Sequence, residues 1–393
     1  MRHIAVVTTT RADYGIYQSV LAALQAHPSF RVSVIVGGMH LSPEFGNTVQ
    51  QIELDGYTIA ARVELLLSSD TPTGIALSMG MGTMGYAQAL ARIQPDLLVV
   101  LGDRFEMHAA ALAALPFRIP VAHIHGGELT FGAMDDALRH SMTKLSHLHF
   151  PATAEYARRI IQLGEEPWRV TVSGAPALDQ IATLEFLSQV TLTVRCGLPL
   201  DPAPLLVTYH PVTLEYDQTP WQTGELLAAL HESAYPVIFT LPNADTNGRV
   251  IIQLIHEYVR EHANAVLVDN LGTPAYFSLL RHVAVMVGNS SSGLIEAPSF
   301  RLPVVNIGTR QQGRTRATNV IDVGYTRQEI AHGIRTALTP VFRASLADLV
   351  NPYGGGTAAD IIVARLADVS IDQRLIEKHF YDQQPLPSGQ ETG

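Results

Sequence analysis

Seven ionisable side chains crowd one stretch of the chain, "VAHIHGGELTFGAMDDALRH" (residues 121–140): His123, His125, Glu128, Asp135, Asp136, Arg139 and His140. Three readings compete for them. A metal site would draw on His123, His125 and Glu128, since histidines two apart on a strand share one face. "HIHGGE" nevertheless lacks the i, i+4 helical spacing of zinc hydrolases. A polar turn over a buried, hydrogen-bonded histidine would carry no chemistry. Acid–base work is the third reading and the one favoured. Asp103, Glu128 and Asp135 are expected at one cleft, and carboxylates brought together raise one another's pKa and suit proton transfer, here assisted by histidine. Gly126 and Gly127 would let the backbone turn sharply and leave room for a substrate ring.

The elements that must position these residues are short apolar runs. "HIAVVTT", "RVSVIVGG", "PDLLVVLGD" and "IPVAHIHGG" end in glycine or polar groups and alternate with helical patterns such as "GIYQSVLAALQAH" and "FEMHAAALAAL". A second series, "PLLVTYHP", "YPVIFTLPN", "AVLVDNL", "VAVMVGNSS" and "LPVVNIG", alternates with helical stretches near 222–233, 248–262 and 292–300. Such alternation predicts an α/β protein of two doubly wound, Rossmann-like domains. The boundary is expected near Gly174 and Pro176, giving an N-terminal domain over 1–174 and a C-terminal one over 175–365. "TAADIIVARLADVSIDQRLIEKHFYDQ" reads as helix and "QPLPSGQETG" as a frayed tail.

In open α/β sheets ligands sit beyond the carboxyl ends of the strands, and two such sheets would place the site in the cleft between them. The strand ends supply Arg11, His40, Asp103, Arg104 and Glu106 in the first half, and His210, Asn243, "GNSSSG" and "GTRQQGR" in the second. In "VMVGNSSSGLIEAP" a strand ends in Gly288 and serines precede an apolar helix, whose free N–H groups and dipole would favour phosphate. Ser290, Ser291 and Ser292 add donors, Glu296 could accept from ribose hydroxyls, and Arg310, Arg314 and Arg316 bring guanidinium forks suited to phosphate. The bland alternative is a serine helix cap. The run is not a P-loop, and "SMGMGTMG" at 78–85 reads as helix packing.

Composition bounds the function classes. A chain of 393 residues with 47% apolar content is a globular protein, and a formal charge of −10 without a basic run argues against nucleic-acid binding. No window is long and apolar enough to span a bilayer, and Cys196, the single cysteine, fits a reducing compartment, so a cytoplasmic protein is expected.

Taken together, "RADYG", "GDRFE", "HGGE" with "DDALRHSMTKLSHLHF", "TYHPVT", "LPNAD", "GNSSSGLIEAPSF", "PVVNIGTRQQGR" and "NPYGGGTAADII" resemble the hydrolysing UDP-N-acetylglucosamine 2-epimerases of sialic-acid and related nonulosonate synthesis, over about residues 3–365. The resemblance implies a glycosyltransferase-B-like fold whose C-terminal helix, here 366–393 with the tail, crosses back to the first domain. It implies a UDP-sugar substrate, no cofactor, no metal or nicotinamide, and a homodimer or homotetramer. It implies loss of UDP from C1 and a proton from C2, then addition of water to the 2-acetamidoglycal with inversion at C2, releasing N-acetylmannosamine. By position it makes Asp103, Asp135 and His210 catalytic, with Asp135 linked to glycal hydration. Arg11, Ser290, Ser291, Glu296 and Arg310 become nucleotide contacts, and His40 and Asn243 pocket residues. Arg104 and Arg314 join the expected substrate-binding set.

One departure matters. The sialic-acid enzymes read "HIEGGE", with a catalytic glutamate where this chain has His125, and only the second acid, Glu128, is kept. Either His125, with a reference pKa of ~6.5, or Glu128 could then move the C2 proton. The histidine form is similar to that of relatives acting on UDP-2,4-diacetamido-2,4,6-trideoxyglucose for legionaminic acid, which stands as the alternative substrate. A glycosyltransferase of the same fold would be inert on donor alone, and a nucleotide-sugar-binding regulator would leave the acidic cluster idle. A non-hydrolysing epimerase would carry "HVEAGLR", which is absent.

Overall fold

A computed structural model describes residues 1–67, 71–131, 134–241, 248–269 and 271–383. The chain divides into two compact units: unit 1 holds Met1–Glu128, Met134–Pro176 and Thr357–Gly393, and unit 2 holds Leu129–Ala133 and Ala177–Gly356.

Unit 1 is built on a six-stranded parallel sheet of β1 (Arg2–Thr8), β2 (Phe30–Gly37), β3 (Ile59–Val63), β4 (Leu97–Leu101), β5 (Val121–Ile124) and β6 (Leu148–Phe150), in the order β3-β2-β1-β4-β5-β6. Unit 2 has β7 (Leu205–Thr208), β8 (Val237–Thr240), β9 (Ala265–Val268), β10 (Val285–Gly288), β11 (Val304–Ile307) and β12 (Val320–Val323), in the order β12-β11-β10-β7-β8-β9. Read from β3 in the first and from β9 in the second, the two sheets have the same doubly wound order. Every residue of β4, β5, β7 and β10 is buried, because helices cover both faces of a parallel sheet and continuous Val/Leu/Ile runs then remove the most apolar surface from water.

The "SMGMGTMG" run lies inside the helix Pro72–Ile93, and its glycines serve packing: a Cβ at Gly82 would stand 3.2 Å from that of Ala109, and one at Gly85 2.6 Å from a Val63 methyl. The C-terminal stretch differs from a single helix. It forms a helix over Ala358–Asp368, is interrupted at Val369–Asp372, makes one turn at Gln373–Ile376, and continues without regular structure to residue 383. The interruption lets this segment bend over unit 1. Buried Arg169 donates to the carbonyls of Arg374, Leu375 and Glu377, replacing the partners those carbonyls would have in a longer helix. Lys378 Nζ donates to the carbonyls of Lys144 (2.9 Å) and Ser146 (2.5 Å) and pairs with Glu165 at 2.8 Å.

Glu165, 1% exposed, also meets His149 at 3.0 Å and Lys144 at 2.6 Å. Burial alone would raise its pKa, but these partners bring it down to about 2, while burial lowers that of Lys378 to about 8. A carboxyl depressed in the folded state contributes stability above its unfolded value and loses it as pH falls through the folded one. Glu165 should therefore contribute about 3 kcal/mol that disappears between roughly pH 4.5 and 2. Thermal melts across that range should show a shallower acid slope for Glu165→Gln than for wild type; matching slopes would remove Glu165 as the acid-labile group.

Candidate active site

In each unit the order of strands reverses once, between β1 and β4 and between β7 and β10. The crevice beyond the carboxyl ends at such a reversal is where open α/β sheets take ligands. The residues leaving those four strands form two polar groups.

In unit 1, the chain after β1 folds around Asp13. Its buried carboxylate accepts from Thr9 N (3.1 Å), Thr9 Oγ1 (2.8 Å), Thr10 N (2.9 Å) and the Thr8 hydroxyl, and with Thr10 completes a capping box that starts the helix Arg11–Ala26. Arg11 opens that helix with an exposed side chain. His40, on the turn Gly38–Leu41, is fully buried, with Nε2 3.0 Å from Thr8 Oγ1 and Nδ1 2.6 Å from Thr48 Oγ1. Burial lowers its pKa to about 4, so the ring is a neutral strut.

After β4 come Asp103 and Arg104. Arg104 N-caps the helix Phe105–Ala114 and forks onto buried Glu106, with contacts of 2.8 and 3.2 Å. Asp103 pairs with Arg139 from the helix Met134–Leu145. Arg139, 3% exposed, also reaches Glu128 at 3.3 Å and donates to the backbone carbonyl of His125 at 2.9 Å.

His125 itself has φ +62°. Among the described residues, Gln94, Arg118, Ala234 and Arg301 share that left-handed conformation at helix C-caps, where the chain must turn. His125 adopts it at a strand end, at a cost of order 1 kcal/mol. Three ties hold it: its N–H donates to the Phe150 carbonyl (3.1 Å), its carbonyl accepts from Arg139, and its Nδ1 lies 2.6 Å from Glu128 Oε1. Glu128 therefore takes the δ nitrogen, which leaves Nε2 as the ring atom available for proton transfer.

Asp135 sits in the first turn of the Met134–Leu145 helix. Burial and the neighbouring Asp103 push its pKa up to about 6, against the pull of Arg104 and Arg139. The arrangement thus holds a histidine oriented by a carboxylate, a guanidinium spanning two carboxylates, and an aspartic acid poised near neutrality.

Two sequence expectations about this loop change. His123 and His125 do not share a strand face, because β5 ends at Ile124 and the left-handed residue redirects the second ring; His123 Nε2 instead lies 2.7 Å from the Gly102 carbonyl. The premise of a two-histidine metal face fails with it. Nor do the glycines open space for a substrate. A Cβ at Gly126 would lie 3.0 Å from His123 Nδ1, and one at Gly127, at φ +77°, would collide with the Tyr156 carbonyl. The protein fills that room itself.

In unit 2, His210 follows β7 and Asn289 follows β10. The Asn289 side chain clamps His210 from both sides, accepting from its N–H (2.7 Å) and donating to its carbonyl (2.8 Å). The Asn289 carbonyl in turn accepts from Arg310 Nη1 (3.1 Å) and Gln311 Nε2 (2.8 Å). Gly288 is required here, since at φ +138° any Cβ would strike the Thr208 carbonyl. Burial, with Arg310 nearby, lowers the His210 pKa to about 3, so its neutral ring can hydrogen-bond but not act as an acid near pH 7.

The serine run departs from the expected long helix. Only Ser292–Ile295 is α-helical, followed by a 3₁₀ turn at Ala297–Phe300, because Pro298 has no N–H to continue the ladder. A single turn carries little dipole. Ser291 occupies the N-cap position without a side-chain capping bond, and Glu296 is the C-cap. Ser290 Oγ accepts weakly from Ser292 N (3.3 Å), and Ser292 Oγ meets Tyr276 OH at 2.6 Å. Arg310 and Arg314 are part-buried at this end of the sheet. Arg316 is committed to Asp322 at 3.1 Å.

The structure thus gathers Asp103, Arg104, His125, Glu128 and Asp135 around the unit 1 reversal, near the Asp13–His40 group, and His210, Ser290, Ser291 and Arg310 around the unit 2 reversal. Asn243 lies outside the described residues. Sequence reasoning gave no role to Arg139, Asp13, Asn289 or Gln311. Only Asp13 carried a local signal, the Thr-x-x-Asp capping spacing of "TRAD".

A family model described as UDP-N-acetylglucosamine 2-epimerase matches residues 22–367. The UDP-N,N′-diacetylbacillosamine 2-epimerase (hydrolyzing) of Legionella pneumophila is 37% identical over 379 residues, covering 96% of this chain and 99% of that protein. The GDP/UDP-N,N′-diacetylbacillosamine 2-epimerase (hydrolyzing) of Campylobacter jejuni is 39% identical over 323 residues, 82% of this chain and 84% of that protein. Among solved structures, UDP-GlcNAc 2-epimerase from Neisseria meningitidis bound to UDP-GlcNAc shares the fold, with TM-score 0.80 at 20% identity over 94% of this chain and all of that one. With the motifs, the doubled strand order and these relatives in agreement, the chain belongs to the UDP-N-acetylglucosamine 2-epimerase family, in its hydrolysing branch, and is an enzyme acting on UDP-sugars.

Proposed function

We propose that this enzyme hydrolyses and epimerises UDP-N,N′-diacetylbacillosamine, the UDP-2,4-diacetamido-2,4,6-trideoxyglucose weighed from the sequence, ahead of UDP-N-acetylglucosamine. The observation that carries the choice is the buried His125–Glu128 pair at the position where sialic-acid enzymes have a glutamate. The Legionella and Campylobacter relatives bear names for this substrate.

In the proposed reaction the residues at the unit 2 reversal, His210, Ser290, Ser291 and Arg310, take the nucleotide diphosphate, together with Arg314 and Glu296. The unit 1 group acts on the sugar. Breaking the C1–O bond sends the electron pair to UDP and leaves an oxocarbenium-like centre, which acidifies C2; the carboxylates stabilise that charge. His125 Nε2 removes the C2 proton, giving the glycal. Water then adds its hydroxyl to C1 while a proton reaches C2 from the opposite face, so UDP-sugar and water yield UDP and the free 2-epimer. Asp135 assists that hydration.

Incubation with UDP-N,N′-diacetylbacillosamine and, separately, UDP-N-acetylglucosamine, followed by NMR of the products, tests the reading. Faster release of a free 2-epimer from the diacetamido substrate is expected; preferential turnover of UDP-N-acetylglucosamine would return the choice to that sugar. Arg310→Ala should remove a charge-assisted phosphate contact of about 1.5–3 kcal/mol, raising the Kd for UDP on the order of 10- to 100-fold. Calorimetry showing unchanged UDP affinity would take Arg310 out of the nucleotide site.

A further inference from the structure

Arg139 belongs to none of the roles assigned above, yet more of the unit 1 group converges on it than on any residue with a role. The titratable and charged groups facing it come from three elements: Asp103 after β4, His123 on β5 with His125 and Glu128 after it, and Asp135 and His140 on its own helix. One guanidinium nitrogen, Nη2, pairs with Asp103. The other, Nη1, is shared between Glu128 at 3.3 Å and the His125 carbonyl at 2.9 Å. A lysine ammonium, one point on a flexible stem, cannot span a carboxylate on one side and a carboxylate plus a carbonyl on the other; the rigid fork of arginine can. The carbonyl it grips is that of the left-handed residue, so the same side chain fixes the peptide that aims the His125 ring.

We propose that Arg139 is a positioning residue of the reaction: it keeps Asp103 and Glu128 as carboxylates and locks the His125 peptide, so that His125 and Asp135 are the groups left to carry protons. This rests on the proposed role of His125. Arg139 pairs directly with Asp103 and Glu128 and acts on Asp135 only through space, with Arg104, and the division of labour follows from that geometry. Without the guanidinium, buried Glu128 and part-buried Asp103 would lose their shared cation, Arg104 alone would act on Asp135, and protons would distribute over all three.

The test compares Arg139→Met and Arg139→Lys with wild type on whichever UDP-sugar the wild type turns over. For Arg139→Met we expect kcat to fall on the order of 10²–10³-fold with the Kd for UDP within about threefold, and the acidic limb of the kcat/KM profile to move up by about one pH unit or more. Arg139→Lys keeps the charge, so its limb should stay within about half a unit of wild type while kcat still falls about tenfold or more with KM nearly unchanged. A merely structural arginine would lower the melting temperature and the active fraction without moving the limb. An Arg139→Met enzyme with the wild-type limb overturns the proposal. Should that variant not fold, Arg139→Lys decides, and a wild-type kcat there overturns it equally. NMR titration of the His125 ring needs no turnover. If wild type acts on neither sugar but the His125 titration moves by about one unit in Arg139→Met, the substrate reading falls and the positioning role stands.

Discussion

Replacing His125 by alanine is expected to lower turnover by about 10²–10⁴-fold while leaving the Kd for UDP within about threefold, the signature of a lost proton-transfer group. The expectation is large because the ring is committed. Nδ1 is held by Glu128, the backbone is tied on both sides, and the left-handed conformation would relax only if those ties were released. A histidine that merely packed would have no need of a buried carboxylate 2.6 Å from one nitrogen. His125→Glu restores the "HIEGGE" pattern and should raise activity on UDP-N-acetylglucosamine relative to the diacetamido sugar. It also sets two carboxylates side by side under Arg139, so its optimum should lie at lower pH if Arg139 holds both as anions. A His125→Ala protein that binds UDP and turns over its sugar at the wild-type rate would leave the chemistry to Asp103, Glu128 and Asp135.

Asp135→Asn should fail at a different step. With Asp135 poised at about pH 6, the wild-type enzyme is expected to lose activity as pH falls through that value and the carboxylate is protonated. The asparagine variant keeps the shape and loses the ionisation. Elimination should proceed and hydration should not, so UDP and the 2-acetamidoglycal accumulate in place of the free sugar. NMR of the product mixture reads this directly, and a variant that yields the epimerised sugar at the wild-type rate would remove Asp135 from the hydration step.

What the sequence made legible follows the burial of each element. The central strands β1, β2, β4, β5, β7, β8, β10 and β11 are read off as apolar runs because both of their faces are covered, and the edge strand β9 is read with them through its own apolar run, "AVLVDNL". The edges β3 and β12 escape notice: β3 alternates exposed and buried positions and includes Arg62, and β12 is half-exposed throughout and includes Asp322. β6 is three residues long. The site divides the same way. Asp103, His125, Asp135 and His210 stand at strand ends or in motifs that name them. Arg139 was visible as a charge in the stretch, but its partner Asp103 lies 36 positions earlier, and no local pattern records a contact across that distance. Asn289 was hidden by its own motif, since "GNSSSG" draws attention to the hydroxyls, whereas the amide does the clamping. The 3₁₀ turn at Ala297–Phe300 was foretold by Pro298, a signal outweighed by the apolar run around it.

The return of the chain to unit 1 at Thr357 has a consequence for biosynthesis. The helix Arg11–Ala26 packs against Ala358–Asp368, and Arg2 donates to the carbonyls of Leu366 and Val369. These contacts join residues near opposite ends of the polypeptide. On a ribosome adding ~5–20 residues per second, translating Ala177–Gly356 takes roughly 10–40 s, during which unit 1 has its first sheet but not its last helix. Ile362, Val363, Leu366 and Leu375 belong to its hydrophobic core, so that core stays open until they emerge. Most of unit 2 is one unbroken stretch and can close first. Unit 1, begun early in translation, is therefore closed only after Ala177–Gly356 has been made, and a ribosome stalled within that stretch leaves a nascent chain with the core of unit 1 still uncovered.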